Sequence, residues 1–213
     1  AKNVAAKSGQ EVLGYDVSQK RLDAFAQAGG IAVPDPAEIY ETCDVILQIL
    51  PTHPIIRESV LRAVQCGKPG RIIVDLSSTA PDIILELYET AKAAGMYLLD
   101  SPVSGGNPMA EAGTLAIMIG GDREAFEQVR PILECMGQPV YTGGSASGSV
   151  TKLVNNMIGG AMLAAIAEGY AFAAKAGIDL QTTFDATRGG FAGGPLYDNK
   201  VPKLLVRDYE PGA

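Results

Sequence analysis

A chain of 213 residues with 47% hydrophobic side chains is long enough for one large domain, or a domain and part of another, around a real core. A formal charge of −7 leaves no basic surplus to neutralise phosphates and argues against non-specific nucleic-acid binding, so an anionic ligand would need positive charge supplied locally. Three scattered cysteines (Cys43, Cys66 and Cys135) without a C-x-x-C pair, and a single histidine, His53, argue against a zinc site, a redox motif or a Ser-His-Asp triad; they point to a reducing, cytoplasmic setting and no resident metal.

The first residues, AKNVAAKSGQ, hold no long apolar run of the kind that directs export. They read as a helix to Ser8, followed by a short strand, Val12 to Tyr15, closed by Asp16. In a dinucleotide-binding βαβ unit an acidic residue ends the second strand, roughly 20 residues after a Gly-rich turn, where it reaches the adenosine ribose hydroxyls. Asp16 has that position, yet too few residues precede it to hold a first strand and a G-x-G-x-x-G turn. The alternative is a strand-end acid capping the next helix. Alternating units follow: helix Ser18 to Ala28, strand Ile31 to Val33, helix Pro36 to Thr42 and the apolar strand Val45 to Leu50, which together predict a parallel sheet whose strand carboxyl ends form a ligand edge. Leu50, Pro51 and Thr52 fall on that edge, although Pro51 serves equally well to stop the strand.

A helix from about Pro54 to Gln65 leads to the strand Arg71 to Leu76. The hydroxyl cluster Ser77, Ser78 and Thr79 before Pro81 predicts an N-cap for a helix through Ala94. Then comes DSPVSGGNPMAEAGTLAIMIGG, Asp100 to Gly121, in which Ser104, Gly105 and Gly106 follow an apolar run. Two consecutive glycines leave bare backbone N–H groups that a carboxylate can approach closely, or they simply make a tight turn. Thr114 to Ile119 reads as a strand, Asp122 to Met136 as a helix and Val140 to Thr142 as a last short strand.

From Gly143 the composition turns to small and hydroxyl residues, then to a long alanine-rich helix reaching about Ala176. The domain boundary is expected at 145/146, giving a nucleotide-binding domain over 1–145 and the start of a helical domain over 146–213. The window Met157 to Ala174 is broken by Glu168 and followed by Lys175, so a helix buried between domains or subunits is expected rather than a membrane span. Two further helices, Asp179 to Arg188 and Leu196 to Val206, follow. Lys152 and Asn156 are four apart on the long helix and share one face, with Asn155 beside them. A lysine among apolar, Gly- and Ala-rich neighbours loses hydration, which favours its neutral form and suits proton transfer; an exposed first-turn lysine is the plain alternative.

The Ser104-Gly105-Gly106 loop taken with Gly148 and Lys152 to Asn156 resembles the β-hydroxyacid dehydrogenase family, which includes 3-hydroxyisobutyrate dehydrogenases and tartronate semialdehyde reductases. The resemblance runs from Ala1 to Ala213. It implies a Rossmann-type doubly wound α/β sheet followed by an all-α domain begun by a long interdomain helix, with the first strand and much of the helical domain missing from these residues. It implies a hydride transfer between NAD, or NADP, and a small 3-hydroxy acid or aldehyde acid, in a homo-oligomer without membrane or nucleic-acid partners. By the resemblance Lys152 is the general acid/base, Asn156 and Asn155 orient the substrate, and Ser104, Gly105 and Gly106 hold its carboxylate. Asp16 takes the ribose, Leu50 and Pro51 pass along the nicotinamide, and Thr79 lies beside the nicotinamide ribose. The chain departs from the pattern at Ala146, where the family has glycine six residues before the lysine. Two other readings remain: a non-catalytic family module acting in assembly or binding, which the missing Gly-rich turn recommends, and a related succinic semialdehyde or glyoxylate reductase.

Overall fold

The computed structural model describes residues 1–210, so the described part of the 146–213 segment ends at Glu210. The chain folds as two compact units, Ala1–Lys152 and Leu153–Ala213. In the first, helices and strands alternate as α1 (Lys2–Lys7), β1 (Leu13–Gly14), α2 (Gln19–Gln27), β2 (Ile31–Ala32), α3 (Ala37–Thr42), β3 (Val45–Gln48), α4 (His53–Cys66), β4 (Ile72–Asp75), α5 (Pro81–Ala93), β5 (Tyr97–Asp100), β6 (Val103–Ser104), α6 (Gly106–Ala112), β7 (Leu115–Gly120), α7 (Arg123–Glu134) and β8 (Gly137–Gly143). The long helix α8 (Ser147–Lys175) crosses into the second unit, where α9 (Leu180–Thr187) and α10 (Pro195–Leu205) follow.

The six-stranded sheet has the path β3-β4-β5-β7-β6, with β8 on β7, while β1 and β2 pair in a separate parallel ribbon. The strands of the alternating units pair in parallel as expected, β1 with β2 and β3 with β4, but the sheet as a whole is mixed. β3, β4 and β5 run parallel, but β7 lies antiparallel to both β5 and β6. Between β6 and β7 the reversal follows from the short link through α6, 105–114, since a parallel partner would need a crossover of a dozen residues or more. The excursion was not foreseen: a Gly- and Pro-containing run of this kind reads as loop, yet GNPMAEA forms one short helix.

β4, Ile72 to Asp75, is buried at every position, as expected for a parallel strand covered on both faces. Its side chains alternate accordingly. Ile72 and Val74 join Leu99, Ile117, Phe126, Val129 and Val4 on one face, under α7 and α1. Ile73 faces the other way with Leu98, Ile46, Ile56 and Leu87, under α4 and α5. Each such fully buried aliphatic side chain contributes about 1.5–3 kcal/mol relative to exposure.

The second unit is held by its own cluster of Tyr170, Phe184, Tyr197 and Val201. Phe184 and Tyr197 stack at 5.6 Å between ring centroids. Asp179 caps α9 by accepting the Thr182 N–H at 2.7 Å. By length and composition α8 could cross a membrane, with a mean hydropathy of 1.4 over its best window. Within this single chain the helix is not buried: large apolar residues such as Leu153, Met157, Ile158, Leu163 and Phe172 are exposed, which leaves the expected burial to a neighbouring subunit.

Candidate functional site

At the carboxyl ends of β3 and β4 a cavity of about 570 Å³ is walled by Leu50, Pro51, His53, Leu76, Ser77 and Val103, among others. Leu50 and Pro51 thus stand where the sequence put them, in the wall of a cleft at the ligand edge of the sheet. The Leu50 N–H donates to Ser77 Oγ at 2.9 Å, which ties the end of one strand to the turn after the next.

Beneath this turn runs a buried polar chain that sequence reasoning missed. Ser59 gives its one hydroxyl proton to Gln48 Oε1 at 2.7 Å, so the Tyr40 hydroxyl, 2.8 Å away, must donate to Ser59. The Gln48 amide then donates to Asp75 Oδ1 at 3.4 Å, and Thr79 Oγ1 donates to Asp75 Oδ2 at 2.6 Å. The N-cap expectation for the hydroxyl cluster is therefore corrected: the cap of α5 is Ala80, without a side-chain bond. Thr79 turns inward because the buried Asp75 carboxylate needs donors. Its proton being committed, Thr79 Oγ1 is left with acceptor capacity only. An acid closing a fully apolar strand, IIVD, was the available signal for Asp75.

Ser104 ends β6 and is half-buried. Gly105 and Gly106 have φ of 137° and 66°, values that side-chain-bearing residues rarely adopt. A Cβ on Gly105 would also stand 2.7 Å from the Met109 side chain. The glycines are thus required by the turn into α6 as well as being open to a ligand.

Lys152 lies in the second turn of α8, half-buried, and donates from Nζ to the Val103 carbonyl oxygen at 2.7 Å. Val103 immediately precedes Ser104, so the structure brings the lysine to the Ser-Gly-Gly loop across 48 residues of chain. Burial pulls the Lys152 ammonium below the ordinary lysine pKa, because the charged form loses hydration. Asn155 and Asn156 follow on α8 in the second unit; both are exposed, and Asn155 Nδ2 lies 3.4 Å from Asn156 Oδ1 as its donor.

Asp16 stands apart from these residues, after β1. Its Oδ1 accepts the Ser18 N–H at 2.8 Å and its Oδ2 lies 3.6 Å from the Arg21 guanidinium. The N-cap of α2 is Ser18, so Asp16 is not the cap; its carboxylate holds the N–H of the capping residue and remains partly accessible.

Residues 1–144 match the family model described as the NAD binding domain of 6-phosphogluconate dehydrogenase. Residues 146–213 match that of the NAD-binding domain of NADP-dependent 3-hydroxyisobutyrate dehydrogenase. The chain is 32% identical over 194 residues to 2-hydroxy-3-oxopropionate reductase of Escherichia coli strain K12, covering 89% of this chain and 66% of that protein. It is 32% identical over 183 residues to a probable 3-hydroxyisobutyrate dehydrogenase of Mycobacterium bovis, covering 85% and 62%. Among solved structures, the 3-hydroxyisobutyrate dehydrogenase of Mycobacterium tuberculosis with L-serine superposes with a TM-score of 0.86 at 28% identity, over 99% of this chain and 75% of the other. The chain thus spans between 62% and 75% of the length of these relatives. A Rossmann-type sheet, a long following helix and these matches agree: the chain belongs to the NAD(P)-dependent β-hydroxyacid dehydrogenase family.

Proposed function

We propose that the protein oxidises a small 3-hydroxy acid, or reduces the matching aldehyde acid, with Lys152 as general acid/base. The observation that carries this reading is the 2.7 Å bond from Lys152 Nζ to the Val103 carbonyl beside Ser104. An ammonium held next to a turn of open glycine N–H groups is suited to a substrate with a carboxylate on one side and a hydroxyl on the other. The Ser104, Gly105 and Gly106 turn holds the carboxylate, while the neutral Lys152 amine takes the hydroxyl proton in oxidation and its ammonium returns it in reduction. Asn156, with Asn155, orients the substrate. The cleft at Leu50, Pro51 and Ser77 has the mixed apolar and hydroxyl lining that fits a nicotinamide ring and its ribose; Thr79, expected beside the ribose, is instead buried on Asp75 and braces the turn that carries Ser77. The cofactor, when bound, supplies the hydride acceptor or donor.

NAD is the preferred cofactor, since the Asp16 carboxylate repels a 2′-phosphate. A cytoplasmic homo-oligomer completes the reading; the exposed apolar residues of α8 support association.

The test is Lys152→Ala in the full-length protein, assayed with 3-hydroxyisobutyrate and with tartronate semialdehyde, alongside circular dichroism. The fold and cofactor affinity should persist while kcat falls by roughly 10²- to 10⁴-fold. Retention of more than about a tenth of kcat, too much for a lost acid/base, would make Lys152 an ordinary helix residue.

A further inference from the structure

Asp100 closes β5 with only 1% of its surface exposed. Its Oδ1 accepts the Ala146 N–H at 2.9 Å and its Oδ2 accepts the Ser149 N–H at 2.7 Å. Both donors belong to the start of α8, where unpaired amides and aligned peptide dipoles favour an anion. Room for the carboxylate comes from two glycines. A Cβ on Gly120 would stand 2.4 Å from Asp100 Oδ1, and one on Gly148 would stand 3.0 Å from Oδ2 and 2.4 Å from the Asp100 carbonyl oxygen. Desolvation pushes the Asp100 carboxyl above its ordinary pKa, with the Ser149 and Ala146 N–H groups pulling the other way.

Three residues after Asp100, the Val103 carbonyl receives Lys152, which lies three residues after Ser149. One short segment, 100–104, therefore grips α8 at two levels, the backbone of its first turn and the side chain of its second.

We propose that Asp100 is a positioning residue for Lys152: its carboxylate fixes the start of α8 against the strand that leads into the Ser104 turn and thereby sets where the ammonium stands. Asp100 is too enclosed to touch substrate and acts through the helix. The proposal rests on the reading of Lys152 as the acid/base.

The experiment is a double-mutant cycle in the full-length protein. Asp100→Asn keeps the shape but turns an N–H donor towards another, so one of the two anchoring bonds is lost. It should lower kcat by about 10- to 100-fold, the usual scale for a catalytic group displaced by an ångström or so. The dissociation constant for NAD should change by less than about twofold, because the proposed cofactor cleft is walled by Leu50, Pro51 and Ser77 and not by Asp100. In the Lys152→Ala background the same substitution should change kcat by less than about twofold, since residues that act as a unit are not additive. If Asp100→Asn unfolds the protein, Gly148→Ala displaces the same helix start with the carboxylate intact and should give the same kcat loss and the same non-additivity with Lys152→Ala. Equal fold losses in both backgrounds, or an Asp100→Asn enzyme within about twofold of wild type while Lys152→Ala collapses, would overturn the role of Asp100 alone. An active Lys152→Ala enzyme would overturn the acid/base reading and this proposal with it.

Discussion

Lys152 and Val103 meet at 2.7 Å, ammonium to main-chain carbonyl, and the contact fixes the lysine head beside a turn whose next three residues are Ser104, Gly105 and Gly106. A carbonyl accepts from the lysine without a countercharge, so burial rather than ion pairing sets its acidity, and the pKa is lowered.

The sign of the pH dependence follows. Oxidation of a hydroxy acid needs the neutral amine, so its kcat should rise with pH and level off below the ordinary lysine pKa of about 10.4. Reduction needs the ammonium and should fall over the same window. Rate profiles in both directions check this; a limb at or above the ordinary lysine value would place the titration on another group.

Thr79→Val should destabilise the protein by about 1–3 kcal/mol, because it leaves the buried Asp75 carboxylate short of a donor. Thr79→Ser restores the hydroxyl and should recover most of that loss. Urea unfolding of the two variants decides between a hydroxyl effect and a packing effect.

Ala146 sits at φ 69° while its N–H is held by Asp100. A left-handed residue other than glycine costs about 1–2 kcal/mol, partly offset by the greater chain entropy that glycine loses on folding. Ala146→Gly should therefore stabilise the fold by roughly 0.5–1 kcal/mol and leave kcat intact. A lower melting temperature in Ala146→Gly would contradict the strain argument.

Asp16→Ala should raise kcat/KM with NADP relative to NAD by about tenfold, on the order of one unfavourable charge contact removed. The Arg21 guanidinium, 3.6 Å from Asp16, would then be released to meet a 2′-phosphate. An unchanged ratio of specificity constants would leave Asp16 as a helix-organising acid and nothing more.

Most elements of the chain were legible in order, since short apolar runs rich in β-branched residues such as Val45–Leu50 and Arg71–Leu76 and the long alanine-rich stretch are told apart by length, composition and flanking Gly, Pro and Asp residues. The sequence by itself determined the alternation of strand and helix, the carboxyl edge where Leu50 and Pro51 stand, and the candidate pairing of a Ser-Gly-Gly turn with Lys152. Only the tertiary structure decided the rest. That β7 runs antiparallel depends on a two-residue strand and a single short helix too brief for any periodic signal. That Thr79 faces inward to Asp75 rather than capping α5 depends on a carboxylate buried by neighbouring strands, which local spacing does not record. The grip of Asp100 and Val103 on α8 joins residues nearly fifty apart. A local pattern sets which conformation each segment prefers, but buried polar groups find their partners only when the sheet brings distant segments together, and that is where Lys152 gains its position.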